Sequence, residues 1–284
     1  MSHTRRIFVR SLPGSERRSH MEDQMSNLNW DFQFWDNTHY ESEEFDSFVR
    51  GGGVRLYDDY MVKVSEVMGK KHRKSNANLL FPTQVANHIS VRNLLRHIAY
   101  SDYEEDFFYI MEDDLIIKSY ADNVLSKKLP SIKSDKFICG IGWGWTRKRS
   151  GNHRDYEESK YNINTNIFRF CNPFFITNKA TAKYICENLM EDYIDLPCDV
   201  WLHRYTSAID KNIKRMIIFP ALCRDLSFSG QFDSDILPKS ARIRLLSSKK
   251  NISTKDQQSL SDLRVKYDDR FKDCKEFWRS NYGL

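Results

Sequence analysis

The sequence lacks long hydrophobic runs: none approaches the roughly 18 apolar residues that indicate a membrane-spanning helix. Its first residues, MSHTRRIFVRSL, enter a strand-like pattern almost at once and contain no apolar signal-peptide core. We therefore expect neither a membrane span nor a signal peptide. The expected location is the cytoplasm.

Clustered cysteines and phosphate-binding glycine loops are also missing. The six cysteines are scattered, without a CxxC pair or metal-like spacing: Cys139, Cys171, Cys186, Cys198, Cys223 and Cys274. This pattern predicts reduced thiols and excludes a disulfide framework. The glycines at 51–53 lack the GxGxxG and GxxxxGK[ST] spacings, so they predict a mobile connection and not a phosphate loop.

Composition indicates a globular protein with a moderately basic surface. Of the 284 residues, 40% are hydrophobic and 13% aromatic, which is enough to build one large α/β domain, with or without appendages. The formal net charge of +5 does not by itself predict nucleic-acid binding, and we expect no nucleic-acid partner. It suits a protein that binds diphosphates or an anionic surface.

The first forty residues predict a strand, a helix and a second strand. Residues 5–12 read as a strand, 15–28 as a helix with Ser15 as N-cap, and 31–36 as a strand ending at Asp36. A βαβ opening predicts a parallel sheet. Further strands are predicted at 107–111, 136–145, 168–177 and 215–220, with helices at 82–100, 178–190 and 196–205 and a polar surface loop at 146–166.

The segment FFYIMEDD, residues 107–114, carries the strongest chemical signal. Five large apolar residues run into Glu112, Asp113 and Asp114, which predicts a strand buried on both faces with carboxylates at its C-terminal end. Open α/β sheets bind their ligands there. Three neighbouring acids persist most easily when a hard cation such as Mg²⁺ or Mn²⁺ shares them. The structural alternative is an acidic strand end that faces water.

The last part of the chain predicts a basic segment and a helix. Five cations without an acid lie between Pro238 and Asn251, interleaved with apolar residues: Lys239, Arg242, Arg244, Lys249 and Lys250. This is either a solvated loop or a peripheral contact with an anionic membrane. Apolar residues from Leu260 to Trp278 recur at helical spacing, so the tail is a helix packed on the domain or on a second subunit of a homodimer. We place the domain boundary at 237/238, giving domains 1–237 and 238–284.

The order of several segments resembles glycosyltransferase family 25. These are IFVRSLPGSERRSHM, the helix bearing His88, the EDD triplet, FFITNKATAKYI, PCDVW and FPALCRDLSFSGQFDSDI, which together span most of residues 5–236. The family includes bacterial lipopolysaccharide and lipooligosaccharide galactosyltransferases and collagen galactosyltransferases. One departure is Thr83-Gln84-Val85-Ala86, where the family usually has a Gly-Glu-x-Gly-Cys-like start to its His-bearing helix.

The resemblance implies an α/β fold of the GT-A nucleotide-sugar transferase type, with a mostly parallel central sheet flanked by helices. It also implies an inverting, metal-dependent transfer of a hexose, galactose from UDP-galactose, to a saccharide or glycolipid acceptor such as lipopolysaccharide or lipooligosaccharide. The triplet matches the family's DxD-like motif, with Asp114 and Glu112 toward Mn²⁺ or Mg²⁺ and Asp113 toward the ribose. The donor-binding residues it implies are Ser11, Leu12, Pro13, Arg17, Asp36 and His88.

Asp199, in PCDVW, matches the position of the catalytic base. Glycosyl transfer with inversion requires one carboxylate to take the proton of the acceptor hydroxyl. Two of these residues have structural alternatives: Asp199 as a helix N-cap and His88 as a hydrogen-bonded core histidine. At the level of function, the alternatives are a metal-dependent nuclease or phosphohydrolase using Lys118, a non-catalytic carbohydrate-binding protein, and a structural or interaction protein.

Overall fold

The computed structural model describes residues 3–57, 80–143, 157–165, 173–206, 211–226 and 274–284. The chain divides into two compact units. Unit 1 comprises Met1–Thr38, Ile89–Glu191 and Cys198–Asp225, and unit 2 comprises His39–His88, Asp192–Pro197 and Leu226–Leu284. The predicted domain boundary at 237/238, the basic segment and the first part of the predicted tail helix lie outside the described residues.

Unit 1 is built on a seven-stranded sheet. Its strands are β1 Arg5–Ser11, β2 Gln33–Asp36, β3 Phe107–Glu112, β5 Phe137–Gly140, β7 Asn162–Thr165, β8 Phe174–Thr177 and β9 Lys214–Phe219. Their order in the sheet is β2-β1-β3-β8-β5-β9-β7. A second sheet in the order β4-β10-β6 has three short strands: β4 Leu115–Ile117, β6 Gly142–Trp143 and β10 Cys223–Asp225.

The large sheet is mixed. Strand β1 pairs in parallel with β2 and β3, and β5 pairs in parallel with β9. Strand β8 lies antiparallel between β3 and β5, and β7 is antiparallel to β9. The predicted α/β class with a central sheet is therefore confirmed. The prediction that this sheet is mostly parallel is wrong, because three of its six strand pairings are antiparallel.

Helices are found in the predicted segments 15–28, 82–100, 178–190 and 196–205, while two further helices, Glu43–Arg50 and Ala121–Lys128, were not predicted. The helices are α1 Arg17–Leu28, α2 Glu43–Arg50, α3 Pro82–Tyr100, α4 Ala121–Lys128, α5 Lys179–Asn188 and α6 Cys198–Thr206, and residues 274–282 are also helical. The prediction that Ser15 is the N-cap of α1 is wrong, because the helix begins at Arg17. The Ser15 hydroxyl still accepts a hydrogen bond from the Arg17 amide at 3.3 Å. No helix among the described residues is long and apolar enough to cross a membrane.

Both faces of the central strands are covered. On β1, Ile7 and Val9 join a core that includes Met21 and Met25 of α1, while Phe8 points to the opposite face. There its ring lies 6.5 Å from that of Phe108 on β3, centroid to centroid. The apolar run of β3 is buried on both faces, as its sequence predicts.

Three sequence-based assignments need correction. The single strand predicted at 136–145 is divided into β5 and β6, which belong to different sheets. The segment 162–165, predicted as surface loop, forms β7 because it pairs with the buried strand β9. Strand β10 was not predicted, since three residues are too few to show a strand pattern.

Unit 2 packs aromatic residues from distant parts of the sequence. Trp278 is fully buried, with its indole N–H donating to the Leu80 carbonyl oxygen at 2.8 Å. Its ring centroid lies 6.2 Å from that of Phe45 on α2. The end of the predicted tail helix therefore packs within unit 2.

Candidate active site

The C-terminal ends of three adjacent strands bring the predicted site residues together. Because β2, β1 and β3 are parallel, their carboxyl ends meet at one edge of the sheet. The register places Ser11 opposite Asp36, and Arg10 opposite Glu112. Two of the predicted donor-binding residues and the first acid of the triplet therefore lie side by side, as the βαβ opening implied.

Asp113 is held by the segment that links β1 to α1. Its Oδ2 accepts from the Ser11 hydroxyl at 2.6 Å and from the Ser15 hydroxyl at 3.4 Å. Its Oδ1 lies 3.3 Å from Nη1 of Arg17, in a pair whose side chains are 9% and 13% exposed. Ser11 and Arg17, predicted together as donor-binding residues, therefore form one hydrogen-bonded group with Asp113, which was predicted for the ribose.

Glu112 forms an ion pair with Arg10, a cation buried within β1. Arg10 Nη2 donates to Glu112 Oε1 at 2.9 Å. Although 31% of the Glu112 side chain is exposed, protein atoms surround its carboxyl group, and this desolvation raises its pKa to about 7. Arg10 lowers that pKa, whereas the charges of Asp114, Asp113 and Asp199 raise it further.

Asp114 lies at the bend between β3 and β4, and Asp225 approaches it from β10. The antiparallel pairing of β10 with β4 sets Asp225 opposite Leu115, the neighbour of Asp114, and both acids are buried. The thiol of Cys223, two residues before Asp225, has its pKa raised well above the ordinary value by burial and then by Asp225, Asp114 and Glu112. The triplet is thus part of a larger acidic group.

Asp199 belongs to the same group. It lies in the first turn of α6, and its Oδ1 accepts from the Val200 amide at 2.9 Å. The helix begins at Cys198, so Asp199 is inside the helix and not at its N-cap. Its charge is one of the causes that raise the pKa of Glu112. Its side chain is half-buried.

Arg18 contacts two of the remaining predicted donor residues of unit 1, Leu12 and Asp36. Its Nε donates to the Leu12 carbonyl oxygen at 3.1 Å, its Nη2 donates to the Ser11 carbonyl oxygen at 3.4 Å, and the same nitrogen pairs with Asp36. Leu12 is half-buried and Pro13 is exposed. The turn between β1 and α1 is therefore fixed through its backbone.

His88, the last of the predicted donor-binding residues, is in unit 2. Its ring is buried, and its Nδ1 donates to the Leu196 carbonyl oxygen at 2.8 Å. A carbonyl can only accept, which fixes the proton on Nδ1. This is the environment of a core histidine, and its role in donor binding stays a prediction.

The site offers oxygen ligands to a cation but no preassembled metal cage. Within the ranges that the structure describes, no three His, Cys, Asp or Glu side chains are grouped so as to hold a metal ion. Mg²⁺ is commonly held by one or two carboxylates together with substrate phosphates. Asp114 and Glu112 supply the carboxylate oxygens that Mg²⁺ and Mn²⁺ prefer. The residues fit a cation that is bound together with a diphosphate.

Three residues that contact the predicted site residues were not expected from the sequence to do so: Arg10, Ser15 and Arg18. A signal for Arg10 was present, because an arginine within an otherwise apolar strand requires a buried partner. Ser15 and Arg18 had none, since their contacts depend on how the β1–α1 turn closes. Lys118, the partner considered for a phosphohydrolase, has its ammonium group 5.6 Å from the Tyr120 ring centroid.

An open α/β sheet with charged side chains at the carboxyl ends of adjacent parallel strands is typical of ligand-binding enzymes. The family description Glycosyltransferase family 25 (LPS biosynthesis protein) matches residues 4–186. The chain therefore belongs to glycosyltransferase family 25, and the protein is a glycosyltransferase. The match includes Glu112, Asp113 and Asp114 and ends before Asp199 and Asp225. No curated protein matches the chain.

Proposed function

We propose that this protein transfers a hexose, galactose from UDP-galactose, to a saccharide acceptor such as lipopolysaccharide or lipooligosaccharide, with inversion and with a divalent cation. The observation that supports this most directly is the acidic group of Glu112, Asp114, Asp199 and Asp225 next to the anchored β1–α1 turn. The family match supports the donor and acceptor classes. A GT-A type fold is part of the same proposal.

Asp114 is the proposed cation ligand, with Glu112 beside it. When bound, Mn²⁺ or Mg²⁺ would neutralise the charge that develops on the leaving diphosphate. Leu12, Pro13 and Asp36 border the same edge of the sheet, where they would contact the nucleoside. Arg17 carries a positive charge next to that edge and is already paired with Asp113.

Asp199 is the proposed general base. Its carboxylate would accept the proton of the acceptor hydroxyl as the oxygen attacks the anomeric carbon from the face opposite the leaving group. One glycosidic bond then forms while the bond to the diphosphate breaks, and the nucleoside diphosphate leaves with the electron pair. A single displacement of this kind inverts the anomeric configuration.

The test is turnover of a panel of nucleotide sugars by the purified protein, with and without Mn²⁺. Asp114→Asn keeps the shape of the side chain and removes its charge, so we expect most cation-dependent turnover to be lost while the fold is retained. Asp135→Asn is the matched control, because Asp135 is an exposed carboxylate on the surface of unit 1. Near wild-type turnover by Asp114→Asn with an unchanged cation response would contradict the metal assignment.

We also propose that the protein acts at the inner face of the membrane, where the basic segment 238–251 would contact anionic lipid. Support comes from its five cations and three interleaved apolar residues. A cytoplasmic location would give it access to nucleotide sugars. A homodimer stays a prediction.

A further inference from the structure

Asp113 is held by one short segment of the chain. Both of its carboxylate oxygens accept hydrogen bonds from protein groups: Oδ2 from Ser11 and Ser15, and Oδ1 from Arg17. All three donors lie on the segment that leads from the end of β1 into α1. Asp113 itself is 7% exposed.

The shortest of these contacts, between Ser11 and Asp113, results from the register of β1 and β3. Arg10 pairs with Glu112 across the parallel β1–β3 ladder, so the next residues, Ser11 and Asp113, are also neighbours. The Ser11 side chain is buried and donates over 2.6 Å. A short hydrogen bond to a buried carboxylate is stronger than one between neutral groups.

The other side of the turn is closed by backbone contacts and by Arg18. The Ser15 amide donates to the Leu12 carbonyl oxygen at 3.1 Å, and Gly14 has a φ of +74°, a conformation that favours glycine. Arg18 donates to the Leu12 and Ser11 carbonyl oxygens. Asp113 therefore anchors the side chains of a turn whose backbone is held by the Ser15–Leu12 hydrogen bond and by Arg18.

We propose that Asp113 is a positioning residue: it fixes the β1–α1 turn, residues 11–17, in the conformation that receives the donor nucleotide, and it does not bind the ribose itself. The role in donor binding rests on the proposed function. The anchoring of the turn does not, because it concerns the protein without ligand. Two experiments separate these parts.

The first experiment measures hydrogen–deuterium exchange of residues 11–17 without nucleotide. Asp113→Asn removes the charge that pairs with Arg17, and a hydrogen bond to a charged group contributes enough to make exchange about tenfold faster or more when it is lost. Asp23→Asn is the matched control, since Asp23 is an exposed carboxylate on α1. Unchanged exchange in Asp113→Asn would overturn the anchor.

Ser11→Ala is the second variant, and it keeps every charge. It removes the 2.6 Å hydrogen bond and should also speed exchange in the turn. If Asp113→Asn does not fold, Ser11→Ala decides the question, and unchanged exchange in this variant would then refute the anchor.

The second experiment compares UDP-hexose with its 2′-deoxy and 3′-deoxy forms. If Asp113 acts through the turn, Asp113→Asn should raise the donor KM more than it lowers kcat. Removal of each ribose hydroxyl should then lower kcat/KM by the same factor in the wild type and in the variant. The same result is expected if a hydroxyl makes no contribution and the factor is one. A cost that disappears in Asp113→Asn would show direct ribose contact and overturn the proposal. If the wild-type protein turns over no nucleotide sugar, the proposed function fails while the exchange experiment still tests the anchor.

Discussion

Arg10 and Glu112 show how one residue in a strand constrains the chemistry of the site. Arg10 is 4% exposed, so its charge requires a partner within the protein. Glu112 provides it at 2.9 Å. The ion pair with Arg10 lowers the pKa of Glu112, whereas the neighbouring carboxylates raise it because they oppose its ionisation.

The raised pKa of Glu112 predicts a pH-dependent stability. In the folded protein this pKa is about 7, against an ordinary value of 4.5. The folded state therefore binds the proton more tightly than the unfolded state, and this contribution to stability is present below pH 4.5 and is lost as pH rises through 7. We expect the free energy of unfolding of the wild type, relative to Glu112→Gln, to fall over that window.

Glu105 serves as the control, because its pKa is lowered in the folded protein and its effect on stability changes with pH in the opposite direction. Burial raises its pKa, but the hydrogen bond from Arg6, with further backbone bonds, outweighs burial and the net shift is downward. The wild type should therefore lose stability relative to Glu105→Gln as pH falls. Urea denaturation with a chelator present measures both differences. A flat wild-type minus Glu112→Gln difference from pH 4.5 to 7 would refute the Glu112 prediction.

Asp199→Asn should lower turnover without a matching loss of donor affinity. A positioned general base contributes about 10²–10⁴-fold in rate, and Asn cannot take the acceptor proton. Turnover with a saccharide acceptor and binding of the nucleoside diphosphate measure the two effects separately. Asp192→Asn is the control, because Asp192 is exposed. If donor affinity and turnover fall by the same factor, Asp199 acts mainly by stabilising its helix. Asp225 then becomes the next candidate for the general base.

The sequence could predict that acidic residues gather at the end of β3, but it could not predict which residues each of these acids contacts. FFYIMEDD predicts a buried strand with carboxylates at its end because burial and strand direction are local properties. The partner of Asp113 depends on the pairing of Ser11 with a residue 102 positions away. Such register is set by the packed sheet, so a local pattern does not reveal it.

Among the elements, the positions of the apolar strands were predictable, whereas the direction of β8 was not. The apolar runs of β3, β5 and β9 predict buried strands whatever their neighbours are. Strand β8 has the same composition, yet it lies antiparallel between β3 and β5. The direction of a strand depends on how the connections place it next to its neighbours, and a local sequence pattern does not reveal this.

Gly142 lies in β6 of the small sheet and pairs with Cys223 of β10, the strand that carries Asp225. We expect its replacement by a larger residue to destabilise the protein. A Cβ atom at this position would lie 2.1 Å from Sγ and 3.0 Å from the carbonyl oxygen of Cys223. Gly142→Ala should destabilise the protein by about 1–3 kcal/mol, which is typical of overpacking. It should also reduce turnover, because β10 carries Asp225. Denaturant unfolding and the turnover assay measure these effects.

Cys223→Ala provides the matched test of this contact. Combined with Gly142→Ala it removes the sulfur atom that the new methyl group meets first, so the double variant should recover part of the lost stability. The carbonyl contact remains, and recovery should therefore be incomplete. Equal stability of Gly142→Ala and the wild type would show that β6 and β10 can separate at no cost.

At the scale of the whole molecule, the distribution of charge in the sequence predicts binding to an anionic membrane. The formal net charge is +5, and five cations lie in the basic segment 238–251. Each lysine or arginine near an anionic membrane contributes about 1 kcal/mol to binding. We expect the protein to bind vesicles that contain phosphatidylglycerol, and to be released by salt because the attraction is screened.

Neutralising four of these cations together tests this expectation. Replacing Arg242, Arg244, Lys249 and Lys250 by Gln should release the protein from phosphatidylglycerol vesicles in a sedimentation assay. Turnover of a soluble acceptor fragment should be unchanged, because the proposed catalytic residues are elsewhere in the sequence. The control variant replaces four exposed lysines: Lys133, Lys211, Lys214 and Lys275. If both variants lose binding equally, net charge and not this segment attracts the membrane, and if the wild type does not bind at low salt, the membrane contact is wrong.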